Sequence, residues 1–139
     1  MMTRFLLLAS IAGILAASTV HAADSSEKTR KLIAVLQSDA GLYEKARACQ
    51  ELGETGDRTA VPALAQSLTD PHLSAYARSG LEGIPDPSAS AALRKAADVL
   101  QGPLLAGVIN SLGVLRDEKA VPLLSKLAGN SDVAKEALI

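Results

Sequence analysis

The chain has 139 residues, enough for one modest domain, and its 14 basic and 15 acidic residues leave a net charge of −1. This near-neutral balance offers no basic field for nucleic acid. A single cysteine, Cys49, excludes an intramolecular disulfide. Two Tyr, one Phe and no Trp argue against a β-sandwich or barrel core. The composition therefore favours closely packed helices built from Leu, Val, Ile and Ala.

The first 22 residues have the order of a secretory signal peptide. Residues 1–4 are short and positive, 5–17 are apolar, and 18–22 are small and polar. The sequence predicts cleavage after Ala22, an exported domain at 23–139, and a secreted or periplasmic location. The alternative is an uncleaved anchor, although an apolar run of about 13 residues falls short of the roughly 20 that span a bilayer. We expect no other contact with a membrane.

The next element is a helix from Ser25 to about Ser38, with Leu32, Ile33, Val35 and Leu36 on its apolar face. It resembles the second helix of the units described below, without its partner. It is predicted to be such a partial unit or an N-terminal cap.

Three units then repeat with offsets of 29 and 31 residues. Five positions keep their character in each unit: a small apolar residue, a Leu, an Asp, an Ala and a second Leu. These are Ala48, Leu52, Asp57, Ala60 and Leu64; then Ala77, Leu81, Asp86, Ala89 and Leu93; then Val108, Leu112, Asp117, Ala120 and Leu124. The units span about 43–70, 73–101 and 104–130. A partial unit follows at 132–139, in which Ala134 aligns with Ala48 and Leu138 with Leu52.

Each unit is predicted to form two helices. Ala48 and Leu52 share a face because they are four residues apart. The Asp is suited to capping the second helix, since its carboxylate can accept from free backbone amides. Pro62 and Pro122 are tolerated in the opening turn if the helix begins a residue or two after the Asp. The sequence therefore predicts an all-α protein with about three helix pairs and a partial helix at each end.

The pattern A-x-x-x-L-G-x-x-x-D-x-x-A-V-P-x-L resembles the HEAT-like repeats that are also called phycobilisome-lyase repeats. The resemblance covers residues 43–139, and the second unit, which reads Leu81-Glu82-Gly83-Ile84-Pro85-Asp86-Pro87, departs from it by losing the Gly after Leu and the later Val-Pro. It implies an α–α superhelix, or α-solenoid. Families with such repeats include scaffolds, adaptors and bilin lyases, and similar exported proteins occur in bacteria.

Residues for catalysis or metal binding are sparse. After the predicted cleavage site there is one Cys, Cys49, and one His, His72, with neither C-x-x-C nor H-x-x-x-H spacing. Cys49 is expected to border the core, where burial would raise its pKa and make it inert. The alternatives are a thioether to a bilin or an intermolecular disulfide. His72 is expected in a solvated loop, and we predict no catalytic, metal or cofactor site.

The surface of the second helices is the candidate binding site. In a HEAT-type stack these helices line the concave side, which binds extended partners. The positions one and two residues after the shared Leu contribute the candidate residues Gln66, Arg94, Lys95 and Lys126, although any amphipathic helix has a solvated face. Tyr43 and Tyr76, which open first helices, are expected to pack between neighbouring units.

The favoured function is a non-catalytic, exported scaffold or adaptor for a protein or peptide partner. A bilin-lyase-like enzyme is the alternative that the family resemblance permits. A further alternative is a spacer fragment of a larger exported protein, since 132–139 restarts a first helix. We expect marginal stability from so thin a core, with residues 134–139 frayed or docked on a neighbour.

Overall fold

The computed structural model describes residues 12–129, and their side chains from Asp24 onward. This span is all-helical and contains no strand, which confirms the predicted class. Single 3-10 turns at Arg58–Ala60 and Glu118–Ala120 precede two of the helices. The helices are α1 Ala12–Gln37, α2 Leu42–Thr55, α3 Val61–Ser67, α4 Ser74–Gly83, α5 Pro87–Ala97, α6 Gly102–Val114 and α7 Val121–Ala128.

The helices pack in two rows. In the first row α2 contacts α4, and α4 contacts α6; in the second row α1 contacts α3, and α3 contacts α5. Helices α1, α3 and α5 also contact the helix that follows each of them in the chain. We call α2, α4 and α6 the first helices, and α1, α3, α5 and α7 the second helices. Each first helix therefore packs over the second helix that precedes it.

The repeated positions supply the core between the rows. Three shared positions are buried in all three units: the small apolar residue of the first helix, the Leu of the first helix, and the Ala near the start of the second helix. The final Leu is fully buried at Leu64 and Leu93 but only half-buried at Leu124. Burying a Leu side chain contributes about 1.5–3 kcal/mol, so these positions provide much of the stability. They are Ala48, Ala77, Val108, Leu52, Leu81, Leu112, Ala60, Ala89 and Ala120.

The shared Asp caps the helical segment that follows it in every unit. Asp57, Asp86 and Asp117 each accept the backbone N–H two residues ahead, at 2.8, 2.9 and 3.3 Å. In the first and third units the capped segment is the 3-10 turn, and the α-helix starts after it. Pro62 and Pro122 therefore occupy the opening turn, where a missing N–H costs no helical hydrogen bond.

Glycines bring α2 and α4 unusually close together. A Cβ added at Gly53 would lie 3.1 Å from the Cα of Gly80, and one added at Gly80 would lie 2.7 Å from the carbonyl oxygen of Cys49. A Cβ at Gly83 would collide with the carbonyl oxygen of Gly53. Backbone therefore packs on backbone here, which positions the first two units without large side chains.

Helix α1 is longer than predicted. It was expected to begin at Ser25, but it begins at Ala12 and runs through the predicted cleavage site after Ala22. Residues 14–37 contain neither Gly nor Pro, so nothing in the sequence interrupts the helix. In residues 12–129 no helix is long and apolar enough to cross a membrane. Residues 1–11 and the predicted partial helix at 132–139 lie outside the described residues.

Candidate binding surface

Three of the four candidate residues are solvent-exposed on the second helices. Gln66 lies on α3, Lys95 on α5 and Lys126 on α7. Helices α3 and α5 are in contact, so Gln66 and Lys95 belong to adjoining helices of the same row. Neither lysine takes part in an ion pair with a described residue. These side chains are available to a partner.

Arg94, the fourth candidate, has a structural contact instead. Its guanidinium forms an ion pair and a hydrogen bond with the carboxylate of Asp117, and both side chains are largely buried. In the first two units the capping Asp also accepts a hydroxyl, from Thr59 and Ser88. The third unit has Lys119 at that position, and Arg94 supplies the missing donor. Arg94 therefore connects α5 to the cap of the next second helix.

The two tyrosines do not pack between units, so that prediction was wrong. Tyr43 is 70% exposed and Tyr76 is 39% exposed. The α2–α4 contact is made by glycines, and backbone contact leaves no space for a ring between these helices. The exposed rings lie on first helices, away from the second helices that carry Gln66 and Lys95.

An open groove of about 470 Å³ lies between α2 and α4. Gly53 and Gly83 leave it open, and polar side chains line it, including Gln50, Glu54 and Ser79. The glycine spacing is visible in the sequence, but only the packing of α2 on α4 shows that these glycines face one another. The groove is open to solvent and much of its lining is polar, which makes it a poor pocket for a small apolar ligand.

Glu51 at the edge of this groove forms an ion pair that links α2 to α1. Its carboxylate contacts the ammonium of Lys28 at 3.2 Å and the guanidinium of Arg47 at 3.1 Å. The hydrogen bond from Lys28, followed by the contact with Arg47, lowers the pKa of Glu51 below its usual range. The cluster is an exposed ion-pair network, and pairs of this kind contribute little stability.

Arg78 crosses from α4 to α6. It occupies the position that Cys49 and Ile109 hold in the other units, and it donates to the carbonyl oxygen of Gly107 at 3.0 Å and to the hydroxyl of Ser111 at 3.1 Å. A Cβ at Gly107 would lie 2.8 Å from the Nε of Arg78. The guanidinium thus fills the space that a side chain at Gly107 would take, and it joins the second and third units.

Cys49 is buried and His72 is exposed, as the sequence predicted. Cys49 is fully buried, and burial raises the pKa of its thiol to about 11. Because the thiolate is the reactive form, this environment makes the sulfur inert. His72 is exposed in the loop before α4, and its backbone N–H donates to Asp70 Oδ1 at 2.8 Å. Residues 12–129 contain no cluster of three or more His, Cys, Asp or Glu that is arranged to hold a metal.

No family model, curated protein or solved structure matches this chain.

Proposed function

We propose that the chain is an exported scaffold or adaptor of the HEAT-like repeat kind, and that it binds a protein or peptide along its second helices. The observation that carries this proposal is the two-row packing, in which the contacting helices α3 and α5 carry exposed Gln66 and Lys95 at aligned positions. Continued packing of such pairs would produce an α–α superhelix, whose inner row forms an extended surface.

The buried thiol favours binding over bilin chemistry. A thioether link would require the sulfur of Cys49 to reach a ligand, but its side chain is fully buried and its raised pKa disfavours the thiolate. The exposed polar side chains of the second helices are better placed to contact a macromolecule.

Export is proposed from the N-terminal sequence, and the fold is compatible with cleavage after Ala22. Among the described side chains, the first buried one is Thr29. Removing residues 1–22 would therefore leave the described core intact. Mass spectrometry of the chain recovered from the exported fraction should give an N-terminus at Ala23, whereas an uncleaved chain would indicate an anchor.

A pull-down from the exported fraction tests the proposed surface, with residues 23–139 as bait. The test variant carries Gln66→Ala, Lys95→Ala and Lys126→Ala; Arg94 is left intact because its loss would disturb the fold. The matched control carries three alanines on exposed positions of α2, at Arg47, Gln50 and Glu54.

The expected result is a partner that the control retains and the test variant loses. Its affinity should fall about tenfold in the test variant, since three exposed contacts together contribute on the order of 1.4 kcal/mol. A partner that is lost only with the α2 control would move the binding site to the first helices. Binding that is indifferent to both variants would favour the spacer alternative.

A further inference from the structure

The pair formed by α2 and α3 is covered on one side by α4, the first helix of the next pair. On α2, Cys49 is fully buried, and Gly53 lies against α4, where its added Cβ would be 3.1 Å from the Cα of Gly80. Helix α4 also covers α3, because a Cβ at Gly80 of α4 would lie 2.9 Å from a methyl of Leu64 on α3. One helix, α4, therefore closes both faces of the pair before it.

The equivalent positions of the last pair are not closed by any described residue. Ile109 and Gly113 of α6 align with Cys49 and Gly53, yet Ile109 is only half-buried and a Cβ at Gly113 would meet nothing within 4 Å.

The second helix of this pair shows the same difference. Leu124 and Ala128 of α7 align with Leu64 and Leu68, which are fully buried, but Leu124 is half-buried and Ala128 is exposed. We call Ile109, Gly113, Leu124 and Ala128 the α6–α7 face. It has the composition of a covered contact and lacks the helix that covers such contacts in the earlier units.

We propose that the α6–α7 face is the docking site for Asp132–Ile139, a segment of the chain outside the described residues. The aligned sequence supports this occupant: Ala134 and Leu138 match Ala48 and Leu52, and Ala137 matches Gly80, the small residue that contacts Leu64. Ala137 has one methyl more than Gly80, so its helix would lie slightly farther from α6 than α4 lies from α2.

The length of the segment also fits. The segment has eight residues and aligns with residues 75–82 of α4, which closes the first pair with a helix of 10 residues. Only residues 129–131 separate α7 from the segment, and the connection between α5 and α6 is similarly short, at 98–101.

A second copy of the chain fits this face less well. Stacked head to tail, it would present α2, which carries Glu51 at the buried position of Gly80 in α4. A carboxylate would then be buried against an apolar face, which carries a large desolvation cost. The chain's own segment brings no such cost at Ala137.

The proposal is tested by whether Gly113→Ala raises or lowers the stability of the chain. On an uncovered helix, Gly113→Ala raises stability, since Ala has the higher helix propensity. On a covered one, the added methyl crowds the docked helix, and we expect the melting temperature of the full chain to fall by roughly 5 °C. Gly53→Ala, at the aligned contact between α2 and α4, is the positive control and should also lower it.

The occupant is identified by a second substitution, Leu138→Asp, which should undock the segment. In that background Gly113→Ala should raise the melting temperature, so the sign reverses. Glu136→Ala is the matched control, because Glu136 aligns with exposed Gln50 and should leave the sign unchanged. Hydrogen exchange provides an independent measurement: Leu138→Asp should lower protection in α6 and α7, and Glu136→Ala should not.

Three results would overturn the proposal. One is a stabilising Gly113→Ala in the unmodified chain. Another is a destabilising effect that persists in the Leu138→Asp background together with unchanged hydrogen exchange. The third is a melting temperature that rises with protein concentration alongside a dimer in sedimentation, which would assign the face to a second copy.

Discussion

Gly80→Ala tests the close backbone contact between α2 and α4. The added methyl would lie 2.7 Å from the carbonyl oxygen of Cys49 and 2.9 Å from Cδ2 of Leu64. The leucine methyl can move by rotation of its own side chain. The carbonyl belongs to the backbone of α2, so it can move only if α2 and α4 separate. We therefore expect Gly80→Ala to destabilise the protein, although Ala is the better helix former.

The size of the effect follows from two opposing contributions. Overpacking a tight contact costs about 3 kcal/mol at the upper end of its range, and we take that value because one contacted atom is backbone. Replacing Gly by Ala within a helix contributes about 1 kcal/mol in the opposite direction. The net loss is about 2 kcal/mol, which corresponds to a fall in melting temperature of roughly 8 °C.

Thermal and urea unfolding followed by circular dichroism would measure this loss. Ser79→Ala is the matched control, since Ser79 is exposed on the same helix and its substitution changes helix propensity without adding a contact. The control should be as stable as the unmodified chain or slightly more so. If Gly80→Ala proves as stable as Ser79→Ala, then backbone contact between α2 and α4 does not limit the packing.

Three further predictions concern charges and the thiol. Asp117→Ala should lower the free energy of unfolding by about 1–2 kcal/mol, because it removes a cap and leaves Arg94 without its carboxylate. A double-mutant cycle of Arg94 and Asp117, measured by urea unfolding, should show a coupling energy near 1 kcal/mol. The thiol of Cys49 should resist thiol reagents until the protein is unfolded. Because its pKa is raised to about 11, stability should decline as pH rises from about 9 towards 11, and Cys49→Ala should remove that decline. The hydroxyls of Thr59 and Ser88 lower the pKa values of Asp57 and Asp86. The stability that these two carboxylates contribute is therefore present above about pH 4 and should be lost on acidification. The double variant Asp57→Asn, Asp86→Asn should show a weaker pH dependence of the urea midpoint.

The repeated positions were readable in the sequence because helical periodicity places every fourth residue on one face. Leu52 and Leu81 are fully buried as that spacing predicts, and Asp57 and Asp86 cap the 3-10 turn and the α-helix that follow them. Local rules were sufficient here, since a cap and an amphipathic face depend only on residues a few positions apart.

The surface was harder to predict because exposure depends on the neighbouring helix. Arg94 was expected to be available to a partner, but it bonds to Asp117, which lies 23 residues further along the chain. Tyr43 and Tyr76 were expected between units, where glycines are found instead. Such pairings follow from the relative position of two helices, which the periodicity of each helix does not specify.

The amino-acid sequence by itself therefore determined the helical class, the spacing of the pairs and the residues that point inward. The tertiary structure alone decided which faces meet: α2 on α4 through glycines, α4 on α6 through Arg78, and α5 on the cap at Asp117. The physical reason is that inward direction is a property of one helix and its period. Close contact is a property of two helices, and its geometry depends on which backbone atoms and side chains can approach without collision.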